Sequence, residues 1–239
     1  MPNSKGFVVK SIKSGETSMI VSCYLEDIGL KNFIVKGIYG TKKPKFSKAH
    51  FLPLNFIRIN YNLSRPDRLS YIKEVKPVFI FNTIHSSIEK STVIIFLSEI
   101  LNSVFKEEGD KNQNLFNFLD KSLNWFDSQE KCNNFHIKFL IELTRHIGFY
   151  PNISSKEDKF FNLESGSSST IKPIAKFIDF DDYELFKQLL GMKFEDLNYM
   201  AIDKDSRQRL LNHIIDYYSL HLQMFNSPKS IDVFSEIFK

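Results

Sequence analysis

The spacing of hydrophobic residues changes once along the chain, at about Pro77, and this change constrains the fold more than any other feature. Before it, five short segments are rich in β-branched and aromatic residues, with Gly, Pro, Asn, Asp and Ser clustered between them. These predicted strands cover residues 6–12, 18–25, 32–38, 51–61 and 68–75. A sheet this small avoids exposed edges by closing on itself, so we expect a five-stranded barrel.

After Pro77 the apolar residues recur every three to four positions, as in helices that bury one face. The predicted helices cover residues 83–105, 112–127, 131–147, 181–191, 193–201, 206–225 and 230–238. Gly148 and Pro151 form a stop signal after the third helix, and Asp205 or Ser206 can cap the sixth. Residues 152–174 lose the periodicity and end in a Ser-rich run, which predicts a mobile excursion. The predicted fold class is α+β, with a barrel domain at 1–78 and an all-α helical domain at 79–239.

Positive charge is concentrated in the barrel region, although the whole chain carries only +4. Residues 1–76 contain 14 Lys and Arg against 5 Asp and Glu, a net charge of +9. The remaining residues contain 18 against 23, a net charge of −5. An asymmetry of this kind indicates nucleic acid or an anionic membrane surface as a partner.

The densest positive segment is residues 36–48, KGIYGTKKPKFSK, called the lysine stretch below, with five lysines and no acid. Two interpretations remain open: a solvated loop, or a loop whose lysines reach successive phosphates while its aromatic residues stack on bases. Phe51 and Phe56 fit the barrel core better than a stacking surface, whereas Tyr39 and Phe46 lie in the loop itself. The candidate nucleic-acid-binding residues are Lys10, Lys13, Lys36, Tyr39, Lys42, Lys43, Lys45, Phe46, Lys48, Arg58, Arg65 and Arg68.

Catalytic and metal-binding chemistry finds little support in the sequence. It contains no G-x-S-x-G elbow, P-loop, G-x-G-x-x-G or H-E-x-x-H motif. No pair of its six histidines stands at a ligand spacing beside Cys or carboxylates, so half-buried polar positions are the favoured interpretation. Cys23 and Cys132 are interpreted as small buried residues in a reducing compartment. Because no membrane-spanning segment or signal peptide is recognisable, we expect a cytoplasmic protein without a membrane partner.

Several segments, in order along the chain, carry a resemblance to a known family. They are GFVVKSIKSGETSMIVSCYLEDIGL, VKGIYGTKKPKF, FLPL, LFNFLDKSLNWF, FHIKFLIELTRHIGFYPNI and LLNHIIDYYSLHLQMFNSPKS. This series resembles the bacterial recombination mediator family RecO over nearly the whole chain. The resemblance implies an N-terminal OB-fold barrel, a helical C-terminal domain and no catalytic centre. It also implies binding of single- and double-stranded DNA and annealing of complementary strands.

The resemblance further implies partner proteins. The family is recruited to DNA coated by single-strand binding protein through that protein's acidic C-terminal tail, and with RecR it helps RecA displace the coating protein. A groove for the tail would need a cation at its rim, and Lys131, Lys138 and Arg145 on the third predicted helix are candidates. Ordinary helix-surface charge is the alternative interpretation of these three residues. A protein adaptor with incidental DNA affinity is the alternative for the whole chain, and a nuclease is a third, less favoured one.

Two departures from the family pattern matter. Many members carry a four-cysteine zinc site after the G-(F/Y)-x-P segment, whereas NISSKEDKFFNLESG contains no cysteine, so we expect no zinc and no other cofactor. The position after Lys36-Gly37-Ile38 is often basic in the family and is Tyr39 here. We therefore expect a stacking contact where other members place a phosphate contact.

Overall fold

A computed structural model describes residues 2–40, 44–62, 68–131 and 133–237 and divides the chain into two compact units, Met1–Phe116 and Asn117–Lys239. The first unit contains five strands that close into a barrel in the order β1-β2-β3-β5-β4. The strands are β1 Asn3–Ser14, β2 Ser18–Leu25, β3 Gly29–Val35, β4 Phe56–Tyr61 and β5 Ser70–Pro77. The predicted five-stranded barrel is therefore confirmed.

Antiparallel pairing joins every pair of neighbouring strands except β3 and β5, which run parallel. The turn between β2 and β3 requires Gly29, because its φ is 78° and a Cβ there would lie 2.7 Å from the carbonyl carbon of Asp110. The fourth predicted strand begins too early in the sequence. Phe51 lies instead in a 3₁₀ turn, Lys48–Phe51, where it is 2% exposed and packs into the barrel core.

The first helix and the first turn of the second, which ends the first unit, cover part of the barrel's outer surface. Helix α1 spans Ile88–Glu108, beginning five residues after the predicted start because Ser87 caps it, and α2 spans Gln113–Ser128. Phe105 of α1 stacks on Tyr24 with ring centroids 3.9 Å apart. Phe116 contacts Phe7 and Phe56, whose own rings stack at 4.5 Å. The barrel ends at Pro77, near the division proposed at 78/79, but the compact unit extends to Phe116 because of this packing.

The second unit contains helices and a small sheet. After α2 come α3 Phe135–His146, β6 Phe160–Asn162, β7 Ser167–Ser169, β8 Phe177–Ile178, α4 Phe180–Gly191, a 3₁₀ turn Phe194–Tyr199, α5 Lys204–His221 and α6 Ile231–Ile237. Gly148 has a φ of 86°, as its position after α3 predicts. Asp203 caps α5 by accepting a hydrogen bond from the Ser206 backbone N–H, so the predicted cap residues were wrong.

The three-stranded sheet corrects the expectation of a purely helical second domain. Its strands pair in the order β7-β6-β8, and two of them lie within residues 152–174, where the sequence shows no periodicity. Buried Asp158 supports this segment by accepting hydrogen bonds from the Ser155 backbone N–H and the Ser168 hydroxyl. Strands of two or three residues are too short to produce a period-2 pattern, which explains why the sequence did not reveal them.

Candidate nucleic-acid interface

Four apolar side chains form a row across the outer surface of the barrel, and we call them the apolar row. Register places Ile12 of β1 opposite Ile20 of β2, Ile20 opposite Ile34 of β3, and Ile34 beside Tyr71 of β5. Residues directly paired across strands share one face of the sheet, so the four side chains are neighbours. Ile12 is 45% exposed and Tyr71 is 41% exposed. The row therefore presents an apolar strip to solvent next to the helix-covered part of the barrel.

Polar and positive groups border the apolar row. The Lys36 ammonium lies 5.0 Å from the ring centroid of Tyr71, a cation–π contact. Lys10 is exposed and pairs with Ser22 of β2. The Ser22 hydroxyl in turn donates a hydrogen bond to the Asn32 side-chain oxygen at 2.6 Å. An apolar strip flanked by cations and hydrogen-bonding groups suits stacked bases with phosphates on either side.

A second positive group lies where the lysine stretch meets the turn between β1 and β2. The ring of Tyr39 has the Lys48 ammonium at 4.2 Å and the Lys13 ammonium at 5.6 Å from its centroid. The Tyr39 backbone N–H donates to the Thr17 carbonyl at 3.0 Å, which ties the stretch to the turn. Tyr39 is half-buried and packs against the barrel core, so its ring positions two lysines. Base stacking by Tyr39 stays a prediction.

The rest of the lysine stretch is partly fixed to the barrel. The Lys45 ammonium donates to the Lys73 carbonyl at 2.5 Å and lies 5.3 Å from the Phe46 ring. Phe46 is half-buried against the core and meets Phe51 edge-on at 6.3 Å. These contacts favour a loop that holds its lysines over the barrel rather than a freely solvated one. Lys42 and Lys43 lie outside the described residues.

The remaining predicted residues are distributed differently around the barrel. Arg68 is exposed just before β5, and Arg65 lies outside the described residues. Arg58 lies on β4, which contributes nothing to the apolar row. Phe56 and Tyr61 are 5% and 4% exposed, so neither offers a stacking surface. Tyr61 packs in the barrel core with Phe51, whereas Phe56 is buried on the outer side of the barrel against Phe7 and Phe116, so the barrel-core prediction was wrong for Phe56.

The three cations proposed to bind a protein partner have different surroundings in the second unit. Lys131 is exposed but precedes α3 instead of lying on it. Lys138 is 1% exposed, and its ammonium donates to Glu142 at 2.6 Å and to the Leu189 carbonyl at 2.9 Å. It therefore stabilises the interior and is unavailable at the rim of a groove. Arg145 binds the other Glu142 oxygen at 3.2 Å and lies 3.7 Å from the Tyr150 ring, half-exposed.

Other chemistry is sparse in the part of the chain that the structure describes. No group of three or more His, Cys, Asp and Glu in that part is arranged to hold a metal ion. Burial raises the pKa of the Cys23 thiol to about 12, so this cysteine is neutral and unreactive at physiological pH. None of the described helices combines the length and the apolar character needed to cross a membrane.

Sequence patterns did not point to the apolar row. Alternation along one strand tells which residues share a face, but the isoleucines come from three strands and Tyr71 from a fourth. The available signal is that Ile12, Ile20 and Ile34 sit on the faces opposite the core residues of their strands, where polar residues are usual. Only the pairing between strands shows that these exceptions are adjacent.

A closed five-stranded barrel followed by helices defines the class of the protein: it is an OB-fold protein with a helical second part. In this fold the face around strands 2 and 3 and the adjoining loops are the usual site for oligonucleotides. The apolar row and the Tyr39 lysines both lie there.

Comparison with known proteins identifies the family. The sequence model described as recombination protein O N terminal matches residues 1–81, and the one described as recombination protein O C terminal matches residues 85–230. The DNA repair protein RecO of Flavobacterium psychrophilum is 38% identical over 235 residues, 98% of each chain. Those of Flavobacterium johnsoniae and Bacteroides fragilis are 36% and 32% identical, and each covers 98% of this chain and at least 97% of its own. The chain therefore belongs to the RecO family, and its role lies in DNA repair and recombination.

Proposed function

We propose that the protein is a non-enzymatic, cytoplasmic DNA-binding mediator of recombinational repair. It binds single- and double-stranded DNA, anneals complementary strands and, together with RecR, helps to load RecA onto DNA coated by single-strand binding protein. The observation that carries the proposal is the apolar row with the Lys36 ammonium 5.0 Å from its only aromatic ring. Membership of the RecO family supports the same role.

The proposed mode of binding follows from the kinds of group at the interface. Bases lie against the apolar row, which can contact any base because every base has an apolar ring face. Phosphates lie beside Lys10 and Lys36 and beside the lysine pair at Tyr39. Neither contact reads the edge of a base, so binding is independent of sequence. Base edges left free in this way remain available for pairing with a second strand, which is what annealing requires.

Salt dependence tests the assignment of the lysines. The variant Lys10→Gln/Lys36→Gln/Lys48→Gln removes three proposed phosphate contacts to a single strand. Each contact contributes about 0.7 to the slope of log K against log salt, so we expect the slope to flatten by about 2 units. Fluorescence anisotropy with labelled oligo-dT over a salt series measures it.

A matched control is available on the first two helices and the segment between them. Lys106 and Lys111 are exposed in the first unit outside the apolar row, and Lys121 is exposed on α2, so Lys106→Gln/Lys111→Gln/Lys121→Gln removes the same charge. This control should keep the original slope. A slope that flattens equally in both variants would show that net charge, and not the interface, is responsible. Absence of DNA binding by the unmodified protein would favour the adaptor interpretation.

A further inference from the structure

Three positive residues lie side by side on adjacent strands at another part of the barrel, and we call them the cation row. Register places Lys5 of β1 directly opposite Arg58 of β4, and Arg58 directly opposite Lys76 of β5. Adjacent strands are about 4.8 Å apart, so the row spans about 10 Å. Its members point to the same face of the sheet because they are direct cross-strand partners.

The surroundings of the cation row leave most of its charge uncompensated. Lys5 forms an ion pair with Glu26 at 3.6 Å. Arg58 and Lys76 form no ion pair within residues 2–40, 44–62, 68–131 and 133–237, and Arg58 instead donates to the Asn3 side-chain oxygen at 3.1 Å.

The neighbouring row along the strands is Asn3, Asn60 and Glu74, in which Asn60 donates to Glu74 at 2.7 Å. Glu74 is the only acid of that row, and its carboxylate already accepts a hydrogen bond from the Asn60 amide. Like charges placed directly opposite each other destabilise a sheet, so an anion bound between Arg58 and Lys76 relieves a repulsion built into the fold.

The cation row and the apolar row lie on different sides of the closed barrel. The apolar row crosses β1, β2, β3 and β5, whereas the cation row crosses β1, β4 and β5. Along β1, Lys5 precedes Ile12 of the apolar row by seven positions, which is about 23 Å at about 3.3 Å per residue. A single short segment of DNA that contacts the apolar row therefore does not also cover the cation row.

We propose that the cation row binds the phosphate backbone of a second nucleic-acid strand while the first strand occupies the apolar row. The inference rests on the proposed function, since it gives the second strand of an annealing reaction a place on the same barrel. Amide groups and cations without an adjoining apolar row suit a backbone rather than stacked bases. An acidic peptide is the competing occupant, and the experiment distinguishes it.

The test measures binding of two strands in sequence. The protein is first mixed with one molar equivalent of a labelled oligo-dT, which leaves a second site open, and a second oligo-dT with a different label is then titrated, so the strands cannot pair with each other. Arg58→Gln/Lys76→Gln is compared with the unmodified protein and with Lys106→Gln/Lys111→Gln, which removes the same charge from an exposed region outside both rows. Circular dichroism melting confirms that each variant folds.

We expect Arg58→Gln/Lys76→Gln to bind the first strand within about twofold of the unmodified protein. Its log–log salt slope for the second strand should be smaller by about 1.4 units, from two lost contacts of about 0.7 each. When the salt is raised from about 50 to about 200 mM, second-strand binding should therefore weaken about sevenfold less in this variant than in the unmodified protein. The control variant should match the unmodified protein for both strands, and the rate of annealing complementary oligonucleotides should fall only in Arg58→Gln/Lys76→Gln.

Several results would overturn the inference while leaving the proposed function intact. In one, the unmodified protein binds no second strand. In another, Arg58→Gln/Lys76→Gln leaves the salt slope for the second strand unchanged. In the third, this variant changes the salt slopes for the first and the second strand equally. Polyglutamate binding that is lost in the variant while second-strand binding persists would assign the row to an acidic peptide instead. Failure of the unmodified protein to bind the first strand would refute the proposed function itself.

Discussion

Tyr71 is the only aromatic ring of the apolar row, and its replacement is the sharpest test of that surface. Stacking a base on an aromatic side chain contributes about 1–3 kcal/mol. Because 41% of Tyr71 is exposed, only part of its ring can meet a base, so the lower end of the range applies. We expect Tyr71→Ala to weaken single-strand binding by about 1–1.5 kcal/mol, which is about 5- to 12-fold in Kd.

The salt dependence of the same variant separates stacking from charge. Tyr71 carries no charge, and its backbone N–H donates to the Asn62 side chain at 2.6 Å whatever the side chain at this position. The log–log salt slope should therefore stay unchanged while the affinity falls. Lys36→Gln should do the opposite, flattening the slope by about 0.7 units. Anisotropy titrations with oligo-dT at several salt concentrations measure both quantities on the same samples.

Two further variants control the experiment. Tyr71→Phe keeps the ring and should bind within about twofold of the unmodified protein, since stacking needs the ring and not the hydroxyl. Tyr199 is 89% exposed in the second unit, and Tyr199→Ala should have no effect. The reasoning is refuted if Tyr71→Ala leaves Kd unchanged, or if Tyr71→Phe loses as much affinity as Tyr71→Ala.

Two predictions concern the stability of the second unit. Burial, with a smaller contribution from the charge of Arg207, lowers the pKa of His136 from 6.5 to about 3, so the unfolded chain binds the proton more readily. The stabilisation that depends on neutral His136 is fully present above about pH 6.5. Below that pH the free energy of unfolding falls by about 1.4 kcal/mol per pH unit, a loss of about 2.7 kcal/mol at about pH 4.5. Urea unfolding at about pH 6.5 and about pH 4.5 measures the difference in unfolding free energy between the two pH values. This difference should be smaller in His136→Leu than in the unmodified protein, and an equal difference would contradict the prediction. Lys138→Met should cost about 3 kcal/mol, because it leaves Glu142 and the Leu189 carbonyl without their buried partner. Lys138→Met/Glu142→Leu should recover part of that loss in the same assay, and no recovery would argue against the ion pair as the cause.

Much of the fold could be predicted because its signals are local. Alternation in SMIVSCYL and the turn residues around it identify β2, and spacing of three to four residues identifies the helices after Pro77. Gly148 ends α3 as predicted because a positive φ at a helix end is a property of one residue. The small sheet at 160–178 escaped prediction because its strands contain two or three residues each.

The candidate site could be predicted only in part. Charge counting identified the barrel as the basic part of the chain; Lys13, Lys36 and Lys48 of that part contact Tyr39 or Tyr71, and their binding of nucleic acid stays a prediction. The residue type of Lys138 did not reveal that it is buried. Its ammonium binds Glu142, four positions away, and the carbonyls of Leu189 and Leu190, about fifty positions away. A lysine on a predicted helix is ordinarily exposed, and the exception depends on long-range contacts.

The sequence by itself determined the kind of protein: a basic barrel of five strands followed by helices, with the order of segments that marks the RecO family. Only the tertiary structure decided which residues form surfaces. Ile12, Ile20, Ile34 and Tyr71 become one apolar row, and Lys5, Arg58 and Lys76 one cation row, through strand register. Register is a relation between residues up to 57 positions apart, as Asn3 and Asn60 are, and a slip of one residue would turn each side chain to the other face. Patterns within single strands do not contain that information.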